Sequence, residues 1–172
     1  MKLDKPIVLN KFFNIFPDNR GTLSTADIKN LFETLKLNEF DFKYQLISSN
    51  YSKGTFRGFH FQIKPFEQVK IVLVHSGTIL DFVFPYENPI QENIKKYKLS
   101  EGDVIAIPSN FAHGFYSETD DVLIQYIMNE SYSGKNYKGI NGKYFIEKEI
   151  KSNDILISEK DLSLPNILQL NK

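Results

Sequence analysis

The stretch RGFHFQ, residues 57–62, decides the fold. On a β-strand, successive side chains point to opposite faces, so His60 shares a face with Gly58 and Gln62 while the two phenylalanines face the other way. Strict alternation separates Arg57 from His60 unless a bulge intervenes. The stretch therefore predicts a strand with one aromatic face and one polar face that carries a histidine.

Similar short runs lie on both sides of this stretch and are divided by turn residues such as HSGT, YENP, SEGD and IPSN. The runs are Phe12–Phe16, Phe42–Ile47, Gly58–Ile63, Gln68–His75, Thr78–Pro85, Lys96–Leu99, Asp103–Ile107, His113–Tyr116 and Val122–Met128. Their spacing is typical of an all-β sandwich or barrel. The runs IVLV and TILDFVF are apolar at nearly every position, which indicates strands buried on both faces and hints at a dimer.

Two helical segments flank the predicted sheets. Residues 28, 31, 32 and 35 are apolar at helical spacing, which predicts an amphipathic helix of about three turns with Ser24 or Thr25 as its N-cap. The tail, 155–161 followed by SLPNILQL, predicts a loop and a short helical turn. No repeat or low-complexity linker interrupts the chain, so a single domain over residues 1–172 is expected.

The composition excludes several classes of function. The chain has 172 residues, 41% of them hydrophobic, with zero formal net charge and a pI near 6.8. These values argue against disorder and against electrostatic binding of nucleic acid, and they favour a small-molecule partner. The absence of cysteine excludes disulfides and thiolate zinc sites. No signal peptide or long apolar run is present, so a soluble, cytoplasmic protein with no membrane contact is expected.

Two of the three histidines are candidate metal ligands. Gly102 to His113 follows the second metal-binding motif of cupin-type β-barrels, but the first motif is incomplete because an amide, Gln62, stands where a second histidine is usual. His60, His113 and a carboxylate from Glu67 form a weak ligand set, so no bound metal is expected. As a general base, His60 has a suitable unperturbed pKa of about 6.5. A core histidine bonded to a backbone carbonyl is equally compatible with the pattern.

Several motifs occur together and in order between about Asp18 and Pro165: RGFHFQ, EQVKIVLV, GTILDF, IPSNFAHGF, LIQYIMNESYS and ISEKD. Together they resemble the family of dTDP-4-dehydrorhamnose 3,5-epimerase. The resemblance implies a cupin-like jelly roll that acts as a homodimer without a cofactor or metal. It also implies a nucleotide-linked 4-keto-6-deoxy sugar as substrate and a role in surface polysaccharide biosynthesis.

The resemblance also implies catalytic roles. His60 matches the base, Asp161 the carboxylate that orients it, Lys70 the cation near the enolate oxygen, and Tyr126 the acid on the opposite face of the sugar. Each residue has a structural alternative. Asp161 would suit a helix N-cap, Lys70 an exposed edge position, and Tyr126 an ordinary strand aromatic.

Binding residues follow from the same resemblance: Arg57, Gln62, Asn50, Arg20, His113, Tyr132 and Asp81. Arg57 matches a pyrophosphate contact, with a surface salt bridge as its alternative. Tyr132 matches an aromatic near the nucleotide base, and Arg20 a contact donated by the neighbouring subunit. His113 and Asp81 match pocket-lining positions, although both would also serve as hydrogen-bonding partners inside the barrel.

Two segments depart from the family pattern. TLST at residues 22–25 replaces a phenylalanine run and a glutamate, and GINGKYFIEKEI at 139–150 replaces a Trp-Asn-Asp segment. The catalytic set is intact while the recognition set is altered, so a different nucleotide or sugar, or inversion of a single carbon, is expected. The competing hypotheses are a sugar 3,4-ketoisomerase and a non-catalytic nucleotide-sugar-binding cupin.

Overall fold

A computed structural model describes residues 3–87, 89 and 91–166. The strands are β1 (Ile7–Leu9), β2 (Asn14–Asp18), β3 (Gly21–Thr25), β4 (Tyr44–Asn50), β5 (Phe56–Gln62), β6 (Lys70–Ser76), β7 (Thr78–Pro85), β8 (Lys95–Ser100), β9 (Val104–Ile107), β10 (Phe111–Ser117), β11 (Val122–Met128) and β12 (Tyr137–Gly139). The α-helices are α1 (Ile28–Thr34), α2 (Lys143–Ile150) and α3 (Glu159–Leu162), and a 3-10 turn spans Gln91–Asn93.

Most strands form two antiparallel five-stranded sheets. The first, the Tyr126 sheet, has the order β1-β9-β6-β11-β4, and the second, the His60 sheet, has the order β12-β5-β10-β7-β8. From β4 to β11 each strand therefore lies in the opposite sheet to the strand before it, except that β7 and β8 form a hairpin within the His60 sheet, in the manner of a jelly roll. An apolar cluster that includes Val72, Ile105 and Phe115 fills the space between the sheets. The predicted all-β jelly-roll fold is confirmed.

The outer face of each sheet is covered by a helix of the same chain. Ile71 and Leu73 of β6 pack in one cluster with Leu31 of α1, while Phe82 of β7 packs in another with Phe145 of α2. Intrachain packing therefore explains why IVLV and TILDFVF are apolar on both faces. The inference of a dimer from those two runs loses its basis, because no partner is needed to cover them.

The flanking segments differ from the predictions in detail. Helix α1 is only seven residues long, and its N-cap is Asp27, whose carboxylate accepts from the backbone N–H of Asn30. Ser24 and Thr25, predicted as caps, lie instead in strand β3 because that strand pairs with β2 in a hairpin. Helix α2 and the short strands β1 and β12 were not predicted.

The predicted C-terminal turn corresponds to α3, which Ser158 caps through a hydrogen bond from the N–H of Asp161. The rest of that prediction, residues 167–170, lies outside the described residues. None of the helices in the described part of the chain is long and apolar enough to cross a membrane.

Candidate active site

A cavity of about 460 Å³ opens between the two sheets. Strand β5 contributes His60, β6 contributes Lys70 and β11 contributes Tyr126, while α3 closes one side with Asp161. The predicted catalytic residues thus come from four separate elements of the fold and line one cavity.

A bulge in β5 brings Arg57 and His60 to the same face. His113 of β10 pairs with His60 and Phe115 pairs with Arg57, so three steps along β5 match two steps along β10. Gly58 lies within this step, and a Cβ atom built there would lie 2.5 Å from the Cα of Gly114. The two strands can approach this closely because both positions lack a side chain, which explains why RGFHFQ and AHGF each contain a glycine.

His60 forms a hydrogen-bonded pair with Asp161. Their Nε2 and Oδ1 atoms lie 2.8 Å apart, and the other carboxylate oxygen accepts from the N–H of Gly58 at 3.4 Å. Burial opposes the charged form of Asp161, but the hydrogen bond and charge of His60, assisted by Gly58 and Lys160, outweigh it and lower the carboxyl pKa. Asp161 is not the N-cap of α3, because Ser158 has that role.

The orientation of the imidazole leaves Nδ1 as its basic nitrogen. When Nε2–H donates to Asp161, the lone pair of the ring lies on Nδ1. The Cδ2 edge of His60 faces Gly139 of β12, where an added Cβ would lie 3.2 Å from Cδ2 and 2.9 Å from the oxygen of Phe59. Nδ1 is on the edge of the ring away from Gly139, and among the described residues it has no hydrogen-bond partner.

Lys70 lies inside the barrel. Strand β6 is the central strand of the Tyr126 sheet and Lys70 is only 8% exposed, so the edge-strand alternative is wrong. Its ammonium donates to the backbone oxygen of His60 at 2.9 Å, which links the two sheets. Burial lowers the pKa of Lys70 to about 8, although the Asp81 carboxylate counteracts part of this effect.

Tyr126 lines the cavity from the sheet opposite His60. Its ring meets that of His113 edge-on, with centroids 5.7 Å apart. Burial raises the phenol pKa well above its ordinary value of 10.0, the Asp81 carboxylate raises it further, and Arg57 counteracts both. The phenol is therefore protonated throughout the neutral pH range.

A second histidine–aspartate pair lies deeper in the barrel. His113 Nε2 and Asp81 Oδ2 are 2.6 Å apart, and the two side chains are 5% and 0% exposed. The other oxygen of Asp81 is buried without a hydrogen-bond partner among the described residues. His113 lines the cavity, whereas Asp81 acts on it through His113 and through its charge.

The remaining predicted binding residues divide into two groups. Arg57 and Tyr132 line the cavity, and Asn50 holds Arg57 through a 2.6 Å hydrogen bond to its Nε. Gln62 is buried, and its amide is occupied by backbone groups of Phe66, Ser131 and Ser133, so the structure does not bring it into the cavity. Arg20 pairs with Asp18 at the exposed hairpin and likewise lies away from this chain's cavity.

Several residues that line the cavity were not predicted from the sequence, and two of them, Tyr137 and Lys160, lie next to the His60–Asp161 pair. Tyr137 of β12 lies against His60, with ring centroids 5.4 Å apart, and the ammonium of Lys160 lies 5.0 Å from the centroid of Tyr137. Lys160 directly precedes Asp161 in ISEKD, which was a usable signal. Tyr137 had none, because β12 is only three residues long.

The donor set does not favour a metal. Within residues 3–87, 89 and 91–166, no three histidine or acidic side chains gather closely enough to hold an ion. Gln62 is committed to backbone partners, and Glu67, the proposed third ligand, accepts instead from the hydroxyl of Tyr86.

The sequence matches the model of the dTDP-4-dehydrorhamnose 3,5-epimerase family over residues 4–169. This chain belongs to that family. It is therefore an isomerase of the class that epimerises nucleotide-linked sugars. The family assignment made from the motifs is confirmed.

Individual relatives agree with the family assignment. The epimerase of Shigella flexneri is 27% identical over 176 residues, covering 95% of this chain and 92% of the relative. That of Sinorhizobium fredii is 31% identical over 126 residues, covering 68% of this chain and 63% of the relative. A crystal structure of the epimerase from Bacillus anthracis with TDP and PPi bound has a TM-score of 0.71 at 27% identity, covering 94% of this chain and 93% of that one.

Proposed function

We propose that this epimerase inverts C3, C5 or both in a nucleotide-linked 4-keto-6-deoxy sugar, with the reaction carried by one catalytic domain. The supporting observation is that His60 and Tyr126 line one cavity from opposite sheets. Inversion of a carbon next to a carbonyl requires a base on one face of the sugar and an acid on the other.

His60 is the base. The C4 carbonyl acidifies the protons on C3 and C5, and Nδ1 of His60 accepts one of them. Asp161 fixes the tautomer through its 2.8 Å contact with Nε2 and stabilises the imidazolium that forms. The lowered pKa of Asp161 keeps this carboxylate charged at every pH where the histidine works.

Lys70 stabilises the enolate. Loss of the proton moves negative charge onto the C4 oxygen, and a fixed cation in a site of low water content stabilises that charge more than the ground state. With a pKa of about 8, Lys70 is mainly an ammonium at neutral pH. The Asp81 carboxylate contributes by opposing the effect of burial on Lys70.

Tyr126 is the acid on the opposite face. Its raised pKa ensures that the phenol holds a proton when the enolate forms. Donation to the enolate carbon from this side gives the inverted centre. The buried phenolate that remains is unfavourable and is reprotonated before the next turnover.

The substrate's nucleotide extends from the cavity towards its mouth. Arg57 is the proposed partner of the diphosphate, since a guanidinium held by Asn50 offers its remaining N–H groups as a fork. Tyr132, which is 52% exposed, is the proposed stacking surface for the base, and His113 contacts the sugar. The departures at 22–25 and 139–150 support altered recognition of the nucleotide or the sugar.

The working form is a homodimer in which Arg20 reaches the neighbouring subunit's cavity. The β2–β3 hairpin is exposed along its whole length, including Phe16 and Leu23, which are 55% and 64% exposed. Strand β4 is an edge strand and exposes Ile47 at 62%. An apolar hairpin and an unpaired edge are both features that a second copy would cover.

We place the enzyme in the cytoplasm, in the biosynthesis of surface polysaccharide.

The test is incubation with dTDP-4-keto-6-deoxyglucose in deuterated water, followed by proton NMR. Loss of the C3 or C5 signal with an inverted product supports the proposal and identifies the reacting carbon. A product with its carbonyl at C3 would instead show a ketoisomerase, and binding without any exchange would show a non-reacting protein. If this sugar does not bind, the CDP-, UDP- and GDP-linked sugars are tested next.

Tyr126→Phe separates the two proton transfers. We expect this variant to retain deuterium uptake at the face served by His60, while its inversion rate falls by about 10²-fold or more. Unchanged inversion in the variant would exclude Tyr126 as the acid.

A further inference from the structure

Strand β12 lies against both halves of the His60–Asp161 pair. Tyr137, Lys138 and Gly139 are paired with Gln62, Phe61 and His60 of β5. Beyond this strand, the amide of Asn141 donates to the backbone oxygen of Leu162, at the end of α3. A third element thus joins the strand of the histidine to the helix of the aspartate, which are 101 residues apart in sequence.

The ring of Tyr137 occupies the space beside the imidazole. The two rings are inclined by 34° and their centroids are 5.4 Å apart, so the Tyr137 ring packs beside the imidazole in a tilted arrangement. On its other sides Tyr137 meets Tyr132 at 5.6 Å and the ammonium of Lys160 at 5.0 Å. It therefore contacts the base directly and, through Lys160, the segment that carries Asp161.

Three contacts define the position of the imidazole. Asp161 binds its Nε2 atom, Gly139 lies beside its Cδ2 edge with no space for a Cβ between them, and the Tyr137 ring lies next to it in a tilted arrangement. The first contact fixes the position of one atom, and the other two neighbours restrict rotation of the ring. The Tyr137 hydroxyl has no hydrogen-bond partner within the described part of the chain, so the contact that matters is made by the aromatic ring.

We propose that Tyr137 is a positioning residue for the base: its ring holds the His60 imidazole in the plane where Nδ1 faces the sugar. This role rests on the proposed function of His60. A misplacement of reacting groups by about 1 Å reduces an enzymatic rate by up to about 10²-fold, so loss of the ring has a measurable effect on turnover.

The test compares Tyr137→Leu with Tyr137→Phe and with a matched control, Phe61→Leu. Phe61 is also a half-buried aromatic of this strand pair, but it stacks on Tyr86 on the opposite face of β5. We expect Tyr137→Leu to lower the saturated rate of solvent exchange by about tenfold. Tyr137→Phe and Phe61→Leu are expected to stay within about twofold of the native rate, even if Phe61→Leu loses as much thermal stability.

A second readout does not depend on substrate. The N–H proton shared by His60 and Asp161 gives a low-field proton NMR signal when the pair is ordered. We expect it to persist in Tyr137→Phe and Phe61→Leu and to broaden or vanish in Tyr137→Leu. If no sugar reacts even with the native enzyme, the proposed function fails while this signal still decides the role of Tyr137. Native exchange and a retained signal in Tyr137→Leu, or equal losses in Tyr137→Phe, would overturn the proposal.

Discussion

The barrel contains two histidine–aspartate pairs with the same chemical groups and different surroundings. In the outer pair, His60 is 24% exposed and Asp161 is 7% exposed, whereas His113 and Asp81 of the inner pair are 5% and 0% exposed. The outer pair joins two distant elements, β5 and α3, while the inner pair joins neighbouring strands of one sheet.

The difference shows how surroundings assign a role to the same pair of groups. The outer histidine lines the cavity and has only one nitrogen hydrogen-bonded within the described part of the chain, so we expect it to exchange protons with a substrate. The inner carboxylate is fully buried, so removal of its partner would leave a charge uncompensated. We therefore expect the outer pair to determine the rate, and the inner pair to determine stability and the charge of Lys70.

The largest expected effect is on catalysis in His60→Ala. Without the base, solvent exchange is expected to fall by about 10³-fold or more, within the range that general acid–base catalysis contributes. The buried Asp161 carboxylate loses its imidazole partner but keeps the hydrogen bond from Gly58, so the free energy of unfolding should fall by about 2 kcal/mol, less than for the inner pair. Deuterium exchange and urea unfolding measure the two quantities. Native-like turnover in a folded variant would remove the outer pair from catalysis.

The corresponding change in the inner pair, His113→Phe, is expected to act on the fold. It leaves the carboxylate of Asp81 buried without its hydrogen-bonded partner, and we expect a loss of about 3 kcal/mol in the free energy of unfolding. Combining it with Asp81→Leu removes the charge as well and should restore much of that loss. If His113→Phe and the native protein have the same urea midpoint of unfolding, the inner pair has no structural role.

Asp161→Asn tests how much the Asp161 carboxylate contributes to the rate of proton transfer by His60. The amide keeps the shape of the side chain but does not stabilise the imidazolium, so the exchange rate should fall by about 10²-fold. This loss should be similar across the neutral pH range, because the native carboxylate is already charged there. A pH–rate profile measures it, and a rate within threefold of native would show that His60 does not need the charge.

Asp81→Asn gives the smallest and most specific effect. Exchange should decline as pH rises through about 8, where Lys70 loses its proton, and not near the ordinary lysine value of 10.5. The Asp81 carboxylate raises the pKa of Lys70, so its removal should move this alkaline limb to lower pH. A limb that stays in place would show that the inner carboxylate does not control the charge of Lys70.

The sequence predicted much of this arrangement because its motifs fall on long, regular strands. Strands β7 and β11 have the predicted limits, and His60, Lys70, Tyr126 and Asp161 share one cavity. Periodicity did not predict that Arg57 and His60 share a face, because a bulge is a property of two paired strands.

Other features depend on tertiary contacts that leave little trace in sequence. Helix α2 begins after Gly142 without a side-chain cap, so its start carried no signal. Gln62 lies in the most informative motif, yet its amide is hydrogen-bonded to backbone groups of Phe66, Ser131 and Ser133, and the last two are distant in sequence. The position of Tyr137 becomes visible only when β12 is paired with β5.

The paired glycines at the bulge also constrain how this protein can vary. A side chain at Gly58 would meet the backbone of Gly114, and a side chain at Gly114 would meet the oxygen of Arg57 at 2.9 Å. A substitution by a larger residue at either position is therefore expected to disrupt the pairing of the two strands, whichever position changes first. In a library randomised at both codons, we expect selection for a folded protein to return glycine at each, so the motifs around positions 58 and 114 are inherited as one unit.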